Sequence, residues 1–304
     1  MRLVSLVPIG TKINFLSLRK LGLTLSAVLC IASSVLYFSK GLNYGIDFEG
    51  GILIEVRTPQ TADISIMRAR LSGLGLGQVE LQKFGRATDV LIRVERQPGN
   101  ADAQNKAVEL VRSTLGKTVD YRRIEFVGPK VSGELVEAGV TAVLLALAAM
   151  LLYIWFRFEW QFGIGAVVAL IHDVVLTIGI FSLLGLEFNL STVAAILTIA
   201  GYSINDTVVV YDRVRENLRK YKVMDLIELL NLSLNDTLSR TLLTSITTLL
   251  ALGILYTFGG EVLKGFSFAM IWGVLVGTYS SLMVATPLLI PMKLRRAAFE
   301  NDAV

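Results

Sequence analysis

Asp206 and Arg240 are the first residues whose chemistry needs explaining, because both lie in or beside long apolar stretches of the sequence. Burial favours the neutral form of a carboxyl group, whereas a nearby guanidinium favours the charged form. These opposed effects make the protonation of such a carboxyl group sensitive to small helix movements, while an arginine keeps its charge. The pair therefore predicts a proton-coupling site. One alternative is a static ion pair that holds two helices together. The other is that the two side chains lie near the membrane boundary and extend their charged groups into the aqueous phase.

Asp206 and Arg240 lie on polar stripes of two consecutive segments. Successive helical residues are about 100° apart, so one face of residues 198–213 collects Thr198, Gly201, Tyr202, Asn205, Asp206, Asp212 and Arg213. One face of residues 236–248 collects Asp236, Thr237, Arg240, Thr244, Thr247 and Thr248. If the two segments are antiparallel neighbours, Asp206 and Arg240 lie at similar depth and can meet. Asn205 and Asp212 are secondary proton-path candidates, and Gly201 permits close approach of another helix.

The adjacent residues His172 and Asp173 are a further pair of secondary proton-path candidates. Histidine titrates near neutrality and can relay protons. However, adjacent helical residues point in different directions and do not ideally face one partner. Hydrogen bonds that satisfy both residues in a helix interface are therefore the alternative. Gly273 and Gly277 form a G-x-x-x-G pattern that favours helix packing over transport.

Several other kinds of chemistry have no support in the sequence. It contains no G-x-x-x-x-G-K-[ST] motif, so ATP is not predicted to be the direct fuel. We also find no Cys/His cluster and no Ser-His-Asp set, and we predict no catalytic residue, no cofactor, no metal and no enzyme activity. The single cysteine, Cys30, excludes an internal disulfide. We attribute the net charge of +4 to loop topology and predict no nucleic-acid partner.

The candidate residues must be positioned by membrane helices. Hydrophobic residues make up 53% of the chain and charged residues only 18%, with a mean hydropathy of +0.62. This composition excludes a disordered chain, a secreted mini-protein and an ordinary cytosolic enzyme. Six apolar runs, numbered here as spans one to six, are long enough to cross a bilayer: 20–38, 135–156, 161–184, 190–211, 238–258 and 266–290.

Lysine and arginine residues predict the orientation of these spans. Outside residues 40–132, they are concentrated in the two terminal segments, at Arg157 and in residues 213–222, whereas the short loops 185–189 and 259–265 contain only Lys264. The segment 40–132 is so long that its own charges do not affect the orientation. By the positive-inside rule, both termini are cytoplasmic. The predicted divisions are the N-terminus with span one, residues 1–39, and a periplasmic domain, residues 40–132. Spans two to six follow in residues 133–292, and a cytoplasmic tail in residues 293–304.

Residues 40–132 have the character of a soluble domain. Of the 54 charged residues, 25 lie in residues 40–130. Alternating and helical patterns predict, in order, a strand, a helix, two strands, a helix and a strand: 52–57, 61–73, 78–84, 89–95, 101–115 and 118–127. This order is the split ferredoxin-like pattern. The predicted fold class is therefore an α-helical polytopic membrane protein of six transmembrane helices, with a ferredoxin-like α+β periplasmic domain between helices one and two.

Motifs along the whole chain resemble the SecD/SecF family of protein-export membrane proteins, within the resistance-nodulation-division superfamily. The first motif, residues 41–51, contains Gly45, Asp47, Gly50 and Gly51. The others are Val127-Gly-Pro129, His172-Asp173, residues 201–216, Ser239-Arg-Thr241 and residues 277–281. By motif, Asp206 and Arg240 fall on positions that belong to the proton path of the family.

The resemblance implies a subunit that pairs with SecD and works beside the SecYEG channel in the bacterial inner membrane. Together the two would use the proton motive force to promote preprotein export. The implied partners are SecD, SecYEG, the translocating preprotein and membrane lipid, with YajC and YidC as further candidates. The alternatives are a stand-alone proton-coupled exporter of small molecules or lipids from the same superfamily, and a receptor with a sensing outer domain. An exporter needs a large substrate cleft and a receptor needs a cytoplasmic output module, and neither is evident in the sequence.

Overall fold

A computed structural model describes residues 11–77, 79–116, 118–292 and 294. Residues 1–10 and, apart from Leu294, the predicted tail 293–304 lie outside the described residues. The described chain divides into two compact units. The helical unit contains residues 11–43, 143–186 and those from 191 onwards, and the sheet unit contains residues 44–142 and 187–190.

Among the described residues, six helices are long and apolar enough to cross a membrane, which confirms the prediction of six spans. A 3-10 turn, Phe15–Leu18, precedes span one. The main helices of spans one to six are, in order, Arg19–Lys40, Pro129–Arg157, Trp160–Leu184, Leu190–Lys220, Leu226–Phe258 and Glu261–Ser280. Spans four and five are longer than predicted because their helices continue beyond the apolar run into polar sequence. The start of span five is capped by the side chain of Asp225, which accepts a hydrogen bond from the Ile227 N–H at 2.9 Å.

Span six changes its hydrogen-bonding pattern near its end. The π-turn Ser281–Ala285 follows Glu261–Ser280 and leads into the short helix Thr286–Leu288. Pro287 has no N–H, so a regular α-helical ladder cannot pass through it. The Thr286 hydroxyl instead donates to the Ser281 carbonyl at 2.9 Å. Single π-turns inside helices are frequent at functional sites.

The sheet unit has the predicted β-α-β-β-α-β order. After β1, Asn43–Tyr44, come β2, Gly51–Arg57, β3, Val79–Lys83, β4, Asp89–Val94, and β5, Asp120–Val127, with helices Ile64–Ser72 and Ala101–Leu115 in the predicted places. The four long strands pair antiparallel in the order β3-β4-β2-β5. The residues of β2 alternate between the two faces of the sheet. Ile52, Ile54 and Val56 join the core formed with the two helices, while Leu53 packs with Leu91 and Ile46 in a separate cluster.

A short ribbon of two-residue strands was not predicted. It pairs β1 with β6, Glu187–Phe188. Next to it, the Gly45 N–H donates to the Phe188 carbonyl at 2.8 Å, and a Cβ on Gly45 would lie 2.7 Å from Glu187 Oε1. Burial raises the pKa of Glu187, and the Arg93 guanidinium, 3.4 Å away, opposes that rise. A larger residue at position 45 would therefore collide with a partly buried carboxyl group.

Asp47, Gly50 and Gly51 form a compact joint before β2. The one-turn helix Ile46–Glu49 ends at Gly50, where φ is +73°. Gly51 has a φ of +122°, and a Cβ there would lie 2.8 Å from the Val94 carbonyl oxygen of β4. Asp47 Oδ2 accepts a hydrogen bond from the Leu190 N–H at 3.0 Å, at the start of span four. Glycine at positions 50 and 51 thus provides backbone angles and space that other residues cannot.

Candidate functional site

Asp206 is a buried carboxyl group with an unused oxygen atom. Its residue is 7% exposed. Oδ1 accepts a hydrogen bond from Thr241 Oγ1 of span five at 2.7 Å. Oδ2 is buried and has no hydrogen-bond partner among the described residues. Asp206 can therefore gain a proton at Oδ2 without first breaking a hydrogen bond at that atom.

Arg240 lies beside this contact but does not take part in it. Within the described part of the chain, no ion pair joins Arg240 to Asp206, and Arg240 is exposed. The predicted depth is nevertheless right to within one residue, since the partner of Asp206 is the next residue, Thr241. Successive helical residues point about 100° apart, so Thr241 faces span four and Arg240 does not.

Further contacts fix the register of spans four and five. Arg213 Nε donates to Asp236 Oδ2 at 2.9 Å, and the Tyr202 hydroxyl donates to Ser245 Oγ at 3.3 Å. Asn217 Nδ2 donates to Ser233 Oγ at 2.9 Å. These bonds lie on both sides of the Asp206–Thr241 hydrogen bond along the two helices. The antiparallel pairing on which the prediction depended is therefore present.

Gly201 does not meet a neighbouring helix among the described residues, so its predicted close approach to another helix stays a prediction. A Cβ at Gly201 would have nothing within 4 Å, and Gly201, Asn205 and Thr198 are all exposed. The reason is that they lie on a face of span four that the described helices leave uncovered. Asn205 and Arg240, the exposed neighbours of the Asp206–Thr241 hydrogen bond, thus lie on uncovered surface.

Asp173 is at the centre of a second polar cluster, and its residue is 0% exposed. Its Oδ1 is 2.8 Å from His172 Nδ1. Its Oδ2 accepts hydrogen bonds from Ser203 Oγ at 2.5 Å and Ser280 Oγ at 2.8 Å. These contacts join spans three, four and six. His172 and Asp173 also contact each other directly, and their further neighbours differ, since Ser203 and Ser280 bond to Asp173 whereas the Tyr279 ring lies beside His172.

His172 is also nearly buried, with 4% exposure. Its Nε2 has no hydrogen-bond partner among the residues that the structure covers. The ring lies 6.1 Å from that of Tyr279, centre to centre, and the Tyr279 hydroxyl donates to the Gly22 carbonyl at 2.9 Å. His172 thus extends the second cluster towards span one.

The glycine pair of span six packs against span four. A Cβ on Gly273 would collide with the Ile199 side chain, and one on Gly277 would lie 3.2 Å from Ser203 Cβ. The missing side chains let the two helices approach closely. This approach brings Ser203 and Ser280 to the same carboxyl oxygen of Asp173.

Span four also holds the π-turn of span six. Thr207 Oγ1 lies 3.0 Å from Ser281 Oγ, and the Tyr211 hydroxyl donates to the Ala285 carbonyl at 3.0 Å. Tyr211 is 1% exposed, and its ring contacts that of Phe162 with a centroid distance of 4.9 Å. Asp206 is the residue before Thr207. The candidate carboxyl group is therefore linked to span five directly and to span six through its neighbour.

Asp212 lies outside both buried clusters. Its Oδ1 accepts a hydrogen bond from Arg157 Nη2 at 2.8 Å, and the two side chains are 42% and 43% exposed. The geometry is that of a solvent-exposed ion pair. No group of three or more His, Cys, Asp or Glu side chains that could hold a metal ion occurs in the described ranges.

Residues 107–295 match the family model of the protein export membrane protein SecD/SecF C-terminal region, and residues 38–62 match the SecD/SecF GG motif. The chain belongs to the SecD/SecF family. The GG-motif match includes Gly45, Asp47, Gly50 and Gly51, the residues of the joint before β2. The C-terminal match includes Asp173, Asp206 and the π-turn.

Relatives and solved structures agree with this assignment. The protein translocase subunit SecF of Rickettsia bellii is 48% identical over 290 residues, which cover 93% of this chain and 94% of the relative. The SecF subunit of Rickettsia akari is 45% identical over 305 residues, covering 98% and 97%. The chain is thus similar to SecF subunits over nearly its whole length, and it is a multi-pass inner-membrane protein.

The structure is similar to the crystal structure of SecDF from Thermus thermophilus, a translocon-associated membrane protein. The TM-score is 0.87 with 37% identity, covering 95% of this chain and 40% of SecDF. SecDF in a super-membrane-facing form gives a TM-score of 0.71 with 36% identity, covering 98% of this chain and 41% of SecDF. The chain therefore spans about two fifths of the length of those SecDF chains.

Proposed function

We propose that this chain is the SecF-type subunit of a bacterial Sec protein translocase. With SecD, it uses the proton motive force to promote preprotein export across the inner membrane. Similarity to SecF translocase subunits over nearly the whole chain carries this proposal. A stand-alone exporter of small molecules or lipids is not favoured, since the relatives are named as subunits of a protein translocase.

SecD is the proposed direct partner. SecDF holds the region similar to this chain within a longer chain, which supports a second family member beside it. The uncovered polar surface of Gly201, Asn205 and Arg240 supports the same partner, because lipid does not satisfy polar groups. The SecYEG channel and the translocating preprotein complete the proposed setting, with YajC and YidC as further candidates.

The proposed topology has both termini in the cytoplasm and the sheet unit in the periplasm. The distribution of lysine and arginine supports it. Two exposed lysines, Lys106 and Lys220, provide a matched test in a Cys30→Ser background. In intact cells, an impermeant maleimide should label Lys106→Cys and not Lys220→Cys, and the reverse pattern would overturn this topology.

Asp206 is the proposed proton-coupling residue, with Arg240 as its charge partner. The unused Oδ2 supports this role, because protonation turns an acceptor into a donor and changes the hydrogen bonding between spans four and five. One elementary charge crossing 100 mV supplies about 2.3 kcal/mol, enough to bias a two-state movement. His172, Asp173 and Asn205 are secondary candidates, and the exposed ion pair of Asp212 makes it the weakest.

The test is Asp206→Asn in the complex with SecD, reconstituted with SecYEG in vesicles. Asparagine keeps the shape and the acceptor for Thr241 but cannot titrate. Preprotein export under a proton gradient should fall to the rate without a gradient, while ATP-driven insertion remains. Asp212→Asn is the matched control and should retain gradient-dependent export. Wild-type export by Asp206→Asn at normal protein levels would rule out Asp206 as the coupling carboxyl group.

Arg240→Lys tests the charge partner in the same assay. Lysine keeps the positive charge but loses the planar fork of the guanidinium. Intermediate export would indicate that charge suffices, whereas export as low as in Asp206→Asn would indicate that the guanidinium geometry is required. Full wild-type export by Arg240→Gln would remove Arg240 from the proposal.

A further inference from the structure

A cleft of about 520 Å³ lies at the ends of spans two and four, away from both buried clusters. Four basic and two acidic residues line it: Arg157, Asp212, Arg215, Glu216, Arg219 and Lys220. The cleft lining therefore carries an excess of two positive charges. An excess of this sign favours an anionic ligand.

Two of the guanidinium groups are already held in position. Arg157 and Arg215 both lie over the Phe158 ring, at 5.1 Å and 5.5 Å from its centroid. Arg215 Nη1 also donates to the Arg157 carbonyl at 3.3 Å, and its Nη2 donates to Glu159 at 3.3 Å. Little side-chain freedom remains to be lost when a ligand binds beside these groups.

The acidic residues of the cleft are engaged by arginines. Asp212 pairs with Arg157 at 2.8 Å, and Glu216 pairs with Arg213, outside the cleft lining, at 2.6 Å. Lys220 contacts the Tyr221 ring at 5.1 Å and forms no ion pair with any described residue. Since its ammonium group is exposed, Lys220 can contact an incoming anion without breaking an ion pair with a described residue.

Exposed aromatic side chains beside the cleft are typical of a membrane interface. Trp155, Phe156 and Trp160, on either side of Arg157, are 76%, 81% and 57% exposed. Tryptophan is enriched at the level of the lipid headgroups, where its amphipathic ring contacts both phases. This pattern favours a position of Arg157 at the level of the lipid phosphate groups.

We propose that this cleft binds the phosphate group of an anionic phospholipid, such as phosphatidylglycerol or cardiolipin. Arginine donates paired hydrogen bonds to phosphate oxygens, and lysine adds a point charge. Basic pockets between membrane helices are suited to such headgroups. The exposed Leu152 and Tyr153 of span two offer apolar surface for the acyl chains. A free phosphate shares the headgroup chemistry but gains nothing from this apolar surface.

The experiment uses the full chain in phosphatidylcholine vesicles that contain a minority of phosphatidylglycerol. Electron paramagnetic resonance of spin-labelled lipids measures the immobilised fraction of phosphatidylglycerol relative to phosphatidylcholine. The wild-type chain should immobilise phosphatidylglycerol preferentially. Arg219→Gln with Lys220→Gln should reduce this preference by at least about fivefold, the effect of one basic residue near anionic lipid.

The matched control removes two basic residues elsewhere on the chain, Lys12→Gln with Lys20→Gln, both exposed in the described structure. This control should keep the preference of the wild-type chain. An equal loss in both double variants would show a general surface charge effect and overturn the proposal. Displacement of the labelled lipid by inorganic phosphate at constant ionic strength would also overturn it, because the ligand would then be a soluble phosphate.

Discussion

Asp173 and Asp206 are both buried carboxyl groups of membrane helices, but their oxygen atoms are used differently. Both oxygens of Asp173 have partners, one from the neighbouring histidine and two from serine hydroxyls of spans four and six. Only one oxygen of Asp206 has a hydrogen-bond partner, Thr241, among the described residues. The contacts of Asp173 hold three helices together, whereas Asp206 keeps an oxygen atom to which a proton can be added.

This difference points to different roles for Asp173 and Asp206, which the sequence alone does not distinguish. A buried polar group with all its partners resists change, since any movement leaves several groups unsatisfied. A group with an unused acceptor can change its protonation with a smaller rearrangement. We therefore expect substitutions at Asp173 to affect mainly stability and substitutions at Asp206 to affect mainly coupling.

The largest expected effect is that of Asp173→Ala. His172, Ser203 and Ser280 would lose their common acceptor, and the free energy of unfolding should fall by about 3–5 kcal/mol. Chemical unfolding of the full chain in detergent, followed by tryptophan fluorescence, measures the loss. Asp206→Ala is the matched control and should cost about 1 kcal/mol, the value of one hydrogen bond. Equal losses would contradict the distinction between the two sites.

Gly273→Ala should have the next largest effect. The added methyl group meets the Ile199 side chain, and overpacking of this kind costs about 1–3 kcal/mol. Because Gly273 brings spans four and six together, the loss tests the packing that supports the Asp173 cluster. The same unfolding measurement applies. Gly201→Ala meets open space and should be neutral or stabilising by up to about 1 kcal/mol through helix propensity.

Asp206→Asn should change stability by less than about 1 kcal/mol, since the asparagine oxygen can still accept from Thr241. Unfolding and retention of SecD during purification should both match the wild-type protein. A large loss of stability would contradict the contrast with Asp173, because it would mean that Asp206 also serves as a structural fastener. Together with the export assay, this measurement separates loss of coupling from loss of folding.

The smallest expected effect is that of Asp212→Asn. An exposed ion pair contributes about 0–1 kcal/mol, and Arg157 keeps its contact with the Phe158 ring. The unfolding free energy should therefore change little, and any change should shrink further when salt is added. A strong, salt-independent destabilisation would mean that Asp212 is buried in the assembled protein.

The sequence predicts the spans and their pairing well, because both depend on patterns that extend over many residues. Hydropathy identifies six long helices, and the polar stripes place Asp206 within one residue of its partner on span five. A one-residue offset rotates a side chain by about 100°. The sequence therefore predicts the depth of Arg240 correctly but not the direction in which it points.

Periodic patterns in the sequence do not predict a hydrogen-bond cluster whose members lie on three different helices. Asp173 contacts Ser203 and Ser280, and no single helical pattern fixes how those helices rotate about one another. Pro287 is a visible signal of a break in span six, but it does not specify a π-turn. The strands β1 and β6 have only two residues each, too few for a period of two to be recognised.

In the π-turn Ser281–Ala285, span six holds more residues than an α-helix of the same length. A relative with a regular helix there would need one residue fewer between Gly277 and Pro287 to present the same faces to its neighbours. A one-residue gap in this stretch of a family alignment would thus report a change of helix type. Such a gap would leave the serines before it and the proline after it in equivalent positions.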